Sequence, residues 1–452
     1  MNKKYYGAQT EKAIKNFPFS FRKAPREFLL ALVEIKKAAA IAHNKVGELD
    51  NARKTAIVKA CDEILEGKHW EQFVLPAFQG GAGTSNHMNA NEVIAARATE
   101  ILQGNLSALR ASPLKRGELP LVHPNDHVNM SHSTNDVMPS AFKIAAYRLA
   151  QKLLATTDVL ALSLQKKSRD FSSIVKLGRT HLQDAVPITL GSEFASYEAY
   201  VRRGQQRIRK AMENLLELNL GGTAVGNSIN ASPKYIKQLY IELDKITKLP
   251  LKPAANFMPQ TSSDSDFVWM SQALVAFCVD LSKISNDLRW LSAGPKGGLG
   301  EIMIPELQAG SSIMPGKVNP VLLEAVSQLY FLVSGNNLTI EHGAEGAQLE
   351  LGVMLPIMTD RLIESLKLMD ELILQFAKKC VDGIKADRAR CKELLEKSTA
   401  YATLLSPKLG YDQASELVKE AVNSNKTIRE LVLEKKLLNN KEFDAIIKLF
   451  HP

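Results

Sequence analysis

Residues 267–291 read FVWMSQALVAFCVDLSKISNDLRWL, and this stretch contains neither glycine nor proline, the residues that most often interrupt a helix. Residues 141–167 are equally free of both. Apolar side chains recur every three or four positions, the period of one helix face, at Met358, Leu362, Leu366, Met369, Ile373 and Phe376. Because such segments exceed the ordinary helix length of about 11–12 residues, the sequence predicts an all-α fold with a central bundle of long packed helices.

The texture of the sequence divides the chain into three predicted domains. Residues 1–134 mix short helical patterns with Gly- and Asn-rich loops and are expected to form an N-terminal, mostly helical domain. Residues 135–386 hold the long helices of the central bundle domain, and residues 387–452 form a small C-terminal helical domain. Residues 273–279, ALVAFCV, are apolar around more than one helix face, which indicates that another subunit covers this helix.

The composition of the chain limits its class. With 452 residues, of which 45% are hydrophobic and 23% charged, it resembles a soluble globular protein. No apolar run approaches the roughly 20 residues of a membrane span, and residues 1–7 have no apolar segment behind their charges, so we expect no signal peptide. The four cysteines form no CxxC pair and are expected to be reduced thiols in the cytoplasm.

The net charge of +9 raises the question of a nucleic-acid partner. The basic residues are dispersed among Glu and Asp, and the densest basic stretch, residues 202–210, has few aromatic side chains to stack on bases. We therefore predict a solvated helix face there, and neither nucleic acid nor membrane as a partner. The positive charge would instead attract a small dicarboxylate substrate.

The loop at residues 310–320, GSSIMPGKVNP, concentrates chemical groups. Its two glycines permit unusual backbone conformations, and its two prolines stop a helix from running through. It carries adjacent hydroxyls at Ser311 and Ser312, a cation at Lys317 and an amide at Asn319. We interpret it as a mobile catalytic lid that brings a basic oxygen and a positive charge onto one small anion.

The pattern Gly-Ser-Ser-x-x-Pro-x-Lys-x-Asn in this loop resembles the signature of the aspartase/fumarase superfamily. Blocks similar to those of the family follow in family order along essentially the whole chain, at residues 83–92, 123–129, 133–136, 178–184, 410–412 and 427–431. The resemblance implies a three-domain fumarate-lyase fold that assembles into a homotetramer with a merged helical core. It also implies that three subunits contribute to each active site.

The resemblance further implies an anti-elimination across a Cα–Cβ bond of a small dicarboxylic acid. Ser311 matches the general base of the family, and the aci-carboxylate that forms after proton removal needs donors for its growing charge. The residues implied to hold that carboxylate are Thr84, Ser133, Thr134 and Ser312. Those implied to hold the other carboxylate are Thr180, Lys317 and Asn319. Asn135 and His181 match the leaving-group end, and Glu324 matches a carboxylate that orients this histidine.

Several of these residues also have a plainer interpretation. Asn135-Asp136 and Thr180-His181 are each expected to precede a long helical run, so the hydroxyls at Thr84, Ser133, Thr134 and Thr180 could simply be helix N-caps. His181 taken alone could be a core histidine, and we assign a structural role to His123. Neither an HExxH pattern nor a zinc-like cysteine pair occurs, so we expect no metal and no cofactor.

The choice of substrate rests on finer features of the same blocks. Ser133-Thr134-Asn135 resembles the aspartase branch of the family, so the expected reaction is the reversible elimination of ammonia from L-aspartate to give fumarate. A class II fumarase acting on L-malate is the alternative, and a catalytically silent structural or binding relative is a third. Three departures from the family pattern bear on substrate identity: His132 in place of Gln, the altered loop at Asn227-Ser228, and Lys296 in place of Arg.

Overall fold

The computed structural model describes residues 3–105 and 122–449, most of which are helical. The helices are α1 Ala8–Asn16, α2 Arg26–Lys45, α3 Asn51–Leu65, α4 Thr84–Asn105, α5 Thr134–Asp170, α6 Leu190–Glu213, α7 Pro233–Thr247, α8 Phe257–Ser262, α9 Ser265–Leu291, α10 Val321–Glu345, α11 Leu355–Gln375, α12 Arg388–Lys397, α13 Ala400–Leu409, α14 Tyr411–Ser424, α15 Ile428–Glu434 and α16 Asn440–Leu449. Short strands are β1 Val175–Thr180, β2 Gln183–Thr189, β3 Glu217–Leu218, β4 Lys252–Pro253, β5 Ile302–Met303 and β6 Lys385–Ala386. The all-α prediction is confirmed, because α5, α9 and α11 cover the segments from which it was made.

The chain forms two compact units, each assembled from three segments of the sequence. The first comprises the described parts of Met1–Leu153, Gln206–Ala276 and Phe331–Leu368. The second comprises the described parts of Leu154–Gln205, Phe277–Tyr330 and Met369–Pro452. These units are defined by contacts in space, whereas the division into three domains follows the texture of the sequence and stays a prediction.

The core of the first unit includes the point where α5 packs against α9. Phe142 and Phe267 are buried there and stack with their ring centroids 3.9 Å apart. Lys143, the next residue of α5, is also buried; its ammonium donates to Asp266 at 2.7 Å and to Gln260 at 2.7 Å. Because an unpaired buried cation is costly, this ion pair is what allows α5 to keep a charged side chain inside the unit.

The second unit packs α6 closely against α9 because of one glycine. A Cβ atom on Gly204 would lie 2.0 Å from the Phe277 ring, so a larger residue would force the two helices apart. The C-terminal helices share a further apolar core around Leu405, Ile428 and Phe443, to which β1 contributes Leu177. The C-terminal tail is therefore anchored on the strand that leads to the predicted site residue Thr180.

Helix α9 is long and apolar enough to cross a membrane by length and composition alone. Half of its most apolar window is buried inside the protein, and the core helix of an ordinary protein passes the same test, so this is weak evidence for a membrane. On the same helix the side chains of Trp269 and Val279 are 48% and 47% exposed. Exposed apolar side chains on a core helix form a surface that a further chain can cover, but the tetramer itself stays a prediction.

Candidate active site

The predicted binding residues Ser133, Thr134 and Asn135 lie where α5 begins. Thr134 is the first helical residue, and the Ser133 hydroxyl accepts a hydrogen bond from the Asn135 backbone N–H at 3.2 Å. Pro139 has no N–H to reach back to Asn135, and the Asn135 carbonyl instead accepts from Asn219 Nδ2 at 3.0 Å. The free N–H groups of a helix start favour an anion, so this is a suitable place for a carboxylate.

Asp136 holds this helix start from inside the first unit. Its buried carboxylate accepts backbone N–H groups from Ser133 at 3.0 Å, Gly221 at 2.9 Å and Thr223 at 3.1 Å. Burial raises the pKa of Asp136 to about 6, while these three donors act in the opposite direction. The segment around residues 221–223 is therefore fixed against the beginning of α5.

The altered loop at Asn227-Ser228 adjoins the same helix start. The Asn135 carboxamide donates to the Ala224 carbonyl at 2.8 Å, and Ser228 has a left-handed φ of 58° while its N–H bonds the Gly222 carbonyl. The left-handed region is uncommon for residues other than glycine. The segment that departs from the family pattern is thus bonded to Gly222, close in the chain to Ala224, which contacts the side chain predicted to face the leaving group.

Thr84 begins α4, and His87, one turn later, contacts the start of α5. The Thr84 hydroxyl donates to the Gly81 carbonyl at 2.8 Å. His87 Nδ1 lies 3.0 Å from Thr134 Oγ1, and the histidine side chain is buried. The first unit therefore brings the beginnings of α4 and α5, both predicted to bind the growing carboxylate, close together.

Thr180 and His181 lie at the tip of a β-hairpin, so the expectation that they precede a long helix is wrong. β1 and β2 pair antiparallel, with Thr180 opposite Gln183. The two turn residues, His181 and Leu182, have φ angles of 55° and 60°, as in the two-residue turns that join such strands. Helix α6 begins only at Leu190, which excludes Thr180 as its N-cap.

The serine-containing loop before α10 is closed at its base and exposed at its tip. Asn319 Nδ2 donates to the Gly310 carbonyl at 2.5 Å, and the Ile313 side chain is 83% exposed. Ser311 Oγ accepts two backbone N–H groups, from Ile313 at 3.2 Å and from Met314 at 3.0 Å. Two donors on one hydroxyl oxygen stabilise negative charge there, which lowers the cost of forming an alkoxide.

A cleft of about 680 Å³ lies beside the base of this loop. Lys317, Asn319 and Glu324 line it, together with Arg289 and Trp290 of α9. The cleft thus combines two cations, an amide and a carboxylate around a volume that accommodates a small anion.

The predicted site residues lie in three separate groups. Within the first unit, Thr84 and the segment 133–135 form one group; within the second unit, the hairpin tip and the lid loop form two others. In the part of the chain that the structure describes, no hydrogen bond or ion pair joins His181 to Glu324. The pairing of these two side chains therefore stays a prediction, as do the roles of all these residues.

Sequence reasoning missed Glu301, a fully buried residue that holds the hairpin in place. Its Oε1 accepts from Arg179 at 3.1 Å, and its Oε2 lies 3.0 Å from Lys176 Nζ. The second contact has the distance of an ion pair without the geometry of a directed hydrogen bond. The only signal in the sequence was a glutamate placed between a glycine-rich run and the apolar Ile302.

His123 lies at the start of a short helical turn. His123 Nδ1 accepts the Asp126 N–H at 3.2 Å and caps the short π-helix Pro124–Val128, which fits a structural role. Among the residues that the structure describes, no group of three or more His, Cys, Asp or Glu side chains could hold a metal ion. The expectation of no metal and no cofactor stays a prediction.

The fold and the matches to known proteins define the class of this protein. A model of the lyase family matches residues 1–335, and a model described as the fumarase C C-terminus matches residues 402–451. Aspartate ammonia-lyase of Bacillus subtilis is 44% identical over 443 residues, which cover 98% of this chain and 91% of that relative. Class II fumarate hydratase of Chromobacterium violaceum is 39% identical over 98% of this chain and 94% of that relative. The chain is an enzyme of the lyase class.

A solved structure agrees over the full length of the chain. Fumarate lyase:delta crystallin from Brucella melitensis, bound to cobalt, superimposes with a TM-score of 0.93 at 42% identity, covering 100% of this chain and 96% of that one. The chain therefore belongs to the aspartase/fumarase superfamily. Its relatives support a carbon–nitrogen lyase, with a fumarate hydratase as the alternative.

Proposed function

We propose that this enzyme reversibly eliminates ammonia from L-aspartate to give fumarate, with Ser311 as the general base. The observation that carries the proposal is the pair of backbone N–H groups on Ser311 Oγ. A serine oxygen is an effective base only as an alkoxide, and donors aimed at that oxygen stabilise its charge. Lys317 adds a positive charge to the same loop.

The proposed reaction proceeds in two steps with an aci-carboxylate between them. Ser311 first removes a proton from Cβ of aspartate, and the electron pair moves onto the adjacent carboxylate. The pair then returns to form the Cα=Cβ bond while the C–N bond breaks and its electrons leave with nitrogen. Because the amino group is protonated in the substrate, it departs as neutral ammonia without an acid at that end. Ammonia then takes up one proton, which balances the one that Ser311 releases.

The other side chains are proposed to bind the two carboxylates and the amino group. The carboxylate on which charge grows takes its donors from Thr84, Ser133, Thr134 and Ser312. The other carboxylate is held by Thr180, Lys317 and Asn319, while Asn135 and His181 face the amino group and Glu324 orients His181. The adjoining starts of α4 and α5 support the first assignment, because helix N-termini favour negative charge.

Each complete site is proposed to take its groups from three copies of the chain within a homotetramer. The exposed Trp269 and Val279 on α9 and Leu338 on α10 support self-association, since burying apolar surface favours it. We further propose a cytoplasmic location, supported by four free and buried cysteines. Neither nucleic acid nor membrane is proposed as a partner.

A class II fumarate hydratase acting on L-malate is the second candidate. The fumarate hydratase relative at 39% identity favours it. Hydroxide is a poorer leaving group than ammonia and requires an acid to protonate it, which places a greater demand on the site. The presence of Ser311, Lys317 and His181 weighs against a catalytically silent relative.

The substrate is tested by the ultraviolet absorbance of fumarate after the purified enzyme is mixed with L-aspartate or, separately, with L-malate. We expect fumarate and an equal amount of ammonia from aspartate, and none from malate. Fumarate from malate alone would replace the proposed substrate while retaining the elimination chemistry. Activity with neither substrate would contradict both candidates.

Replacing Gly310 with alanine is expected to lower kcat/KM by up to about 100-fold, because a misplaced catalytic group costs that much. The new Cβ would lie 1.8 Å from the Lys317 carbonyl oxygen, so the base of the loop would have to open. Gly297→Ala is the matched control, since a Cβ there meets nothing within 4 Å. Steady-state kinetics of both variants measure the change. Equal kcat/KM values for the two variants would contradict the prediction that activity requires the loop to be closed at its base.

A further inference from the structure

A buried hydrogen-bond network lies behind the turn that leads into Ser133. Lys36 of α2 is fully buried, and its Nζ lies 2.7 Å from Asn129 Oδ1 and 3.1 Å from His132 Nδ1. On the other side of the ring, His132 Nε2 lies 2.8 Å from the hydroxyl of Tyr235 on α7, which is itself buried. His132 is therefore bonded through both nitrogens, to two different helices.

The direction of these hydrogen bonds follows from the chemistry of the three groups. A charged lysine has only donors, so His132 Nδ1 accepts from Lys36. Burial, and next the charge of Lys36, lower the pKa of His132 well below its ordinary value, so the ring is neutral. Its one hydrogen is then on Nε2 and is donated to the Tyr235 oxygen. Burial also lowers the pKa of Lys36 to about 7, so the parent enzyme and the His132 and Tyr235 variants must be compared at one fixed pH below that value, where Lys36 is charged.

The same residues fix the backbone of the turn. The His132 N–H bonds the Asn129 carbonyl at 3.1 Å, and Asn129 Nδ2 donates to the His132 carbonyl at 3.3 Å. Ser131 between them has a left-handed φ of 56°. Because Ser133 follows His132 directly, the position of the ring determines where the first carboxylate-binding hydroxyl lies.

The stacking of a further aromatic ring makes this arrangement rigid. His43 of α2 lies flat on Tyr235, with ring centroids 3.8 Å apart and planes at 11°. Its Nε2 bonds the Met130 carbonyl at 3.0 Å, and its Nδ1 bonds Glu48 at 2.7 Å. The ring of His43 thus packs on Tyr235, which accepts from His132, and also bonds the backbone of the turn at Met130.

We propose that Lys36, His132 and Tyr235 form a positioning unit that sets Ser133 and Thr134 for the carboxylate on which charge grows. This inference rests on the proposed elimination, in which that charge is largest in the transition state. A misplaced donor then weakens transition-state binding more than substrate binding, so kcat falls more than KM rises. His132, which departs from the family pattern, bridges a lysine and a tyrosine through the two nitrogens of its imidazole.

Three variants test the positioning unit in the full-length enzyme. A glutamine side chain has one acceptor and one donor group, so His132→Gln can still accept from Lys36 and donate to Tyr235. We expect it to keep kcat within about threefold, whereas His132→Leu loses roughly 10- to 100-fold with KM changed far less. Tyr235→Phe, which removes a single oxygen, is expected to lower kcat about tenfold. Tyr197→Phe is the control, because its buried hydroxyl bonds Asp287 instead.

Crystal structures of the two His132 variants give a readout that does not depend on activity. We expect Ser133 and Thr134 to be displaced in His132→Leu and to superimpose on the parent enzyme in His132→Gln. Equal kcat values for the two variants, or unmoved Ser133 and Thr134 in His132→Leu, would overturn the positioning unit. If the parent enzyme consumes neither aspartate nor malate, the proposed function fails, and these structures alone still decide the positioning unit.

Discussion

Replacing Ser311 with alanine is expected to lower kcat for fumarate formation by about 10²–10⁴-fold, the contribution of one positioned general base. The methyl group cannot accept the proton from Cβ, and the N–H groups of Ile313 and Met314 lose the oxygen to which they now donate. The loop is largely exposed, so these N–H groups can bond water instead. The loss should therefore appear in kcat and leave thermal stability nearly unchanged.

The control for this variant is Ser172→Ala, which removes an exposed hydroxyl that donates to the Arg169 carbonyl. Steady-state kinetics, thermal unfolding and native mass should be measured for both variants. We expect each to retain the mass of four 49.8-kDa chains and only Ser311→Ala to lose turnover. Full activity in Ser311→Ala would contradict the proposal that Ser311 is the general base. A changed native mass would indicate that the loop contributes to subunit assembly.

Replacing Glu301 with glutamine is expected to lower the free energy of unfolding by about 3–5 kcal/mol, the cost of breaking a buried ion pair by removing one partner. Glutamine has nearly the same shape but carries no charge. Lys176, which is 1% exposed, would keep only Glu193 at 2.9 Å, and Arg179 would lose its bonded carboxylate. The buried Lys176 would then have one partly exposed anion, Glu193, and Arg179 would keep its bond to the Leu177 carbonyl.

Chemical denaturation at a fixed protein concentration measures this change, because the stability of an assembled protein depends on concentration. The control is Glu420→Gln, whose partner Lys435 lies 2.6 Å away with both side chains at least 40% exposed. A surface pair of this kind contributes about 0–1 kcal/mol, so the control should change little. Equal losses of unfolding free energy in the two variants would contradict the prediction that the buried ion pairs of Glu301 stabilise the protein more than a surface pair does. Since Arg179 precedes Thr180, we also expect Glu301→Gln to raise KM.

The long helices could be predicted from the sequence because helical order is local. Residues 141–167 in α5 and 267–291 in α9 contain no glycine or proline, and α11 repeats its apolar residues with the period of one helix face; nothing beyond a few turns is needed to recognise either signal. The hairpin of β1 and β2 was missed for the opposite reason. Its turn, His181-Leu182, contains no glycine although both residues have positive φ, and its strands contain Gly178 and Pro187, which are rare in strands.

The candidate site likewise has parts that could be predicted from local sequence and parts that could not. The motif residues could be named from the sequence because each motif is a short run whose members are neighbours along the chain. The two N–H groups on Ser311 also arise within its own loop, from Ile313 and Met314. Their chemistry is therefore a property of that segment, which a reader of the sequence can anticipate.

The supporting residues required the tertiary structure. Glu301 lies 122 residues from Arg179 along the chain, and Tyr235 lies 103 residues from His132. No periodicity relates residues at such separations, because their contact depends on how helices and strands pack. The sequence by itself determined the helical class and the family of this enzyme, and it predicted the candidate reacting groups. Only the packing of distant segments decided which buried charges and rings hold those groups in place, since burial and pairing are properties of neighbours in space.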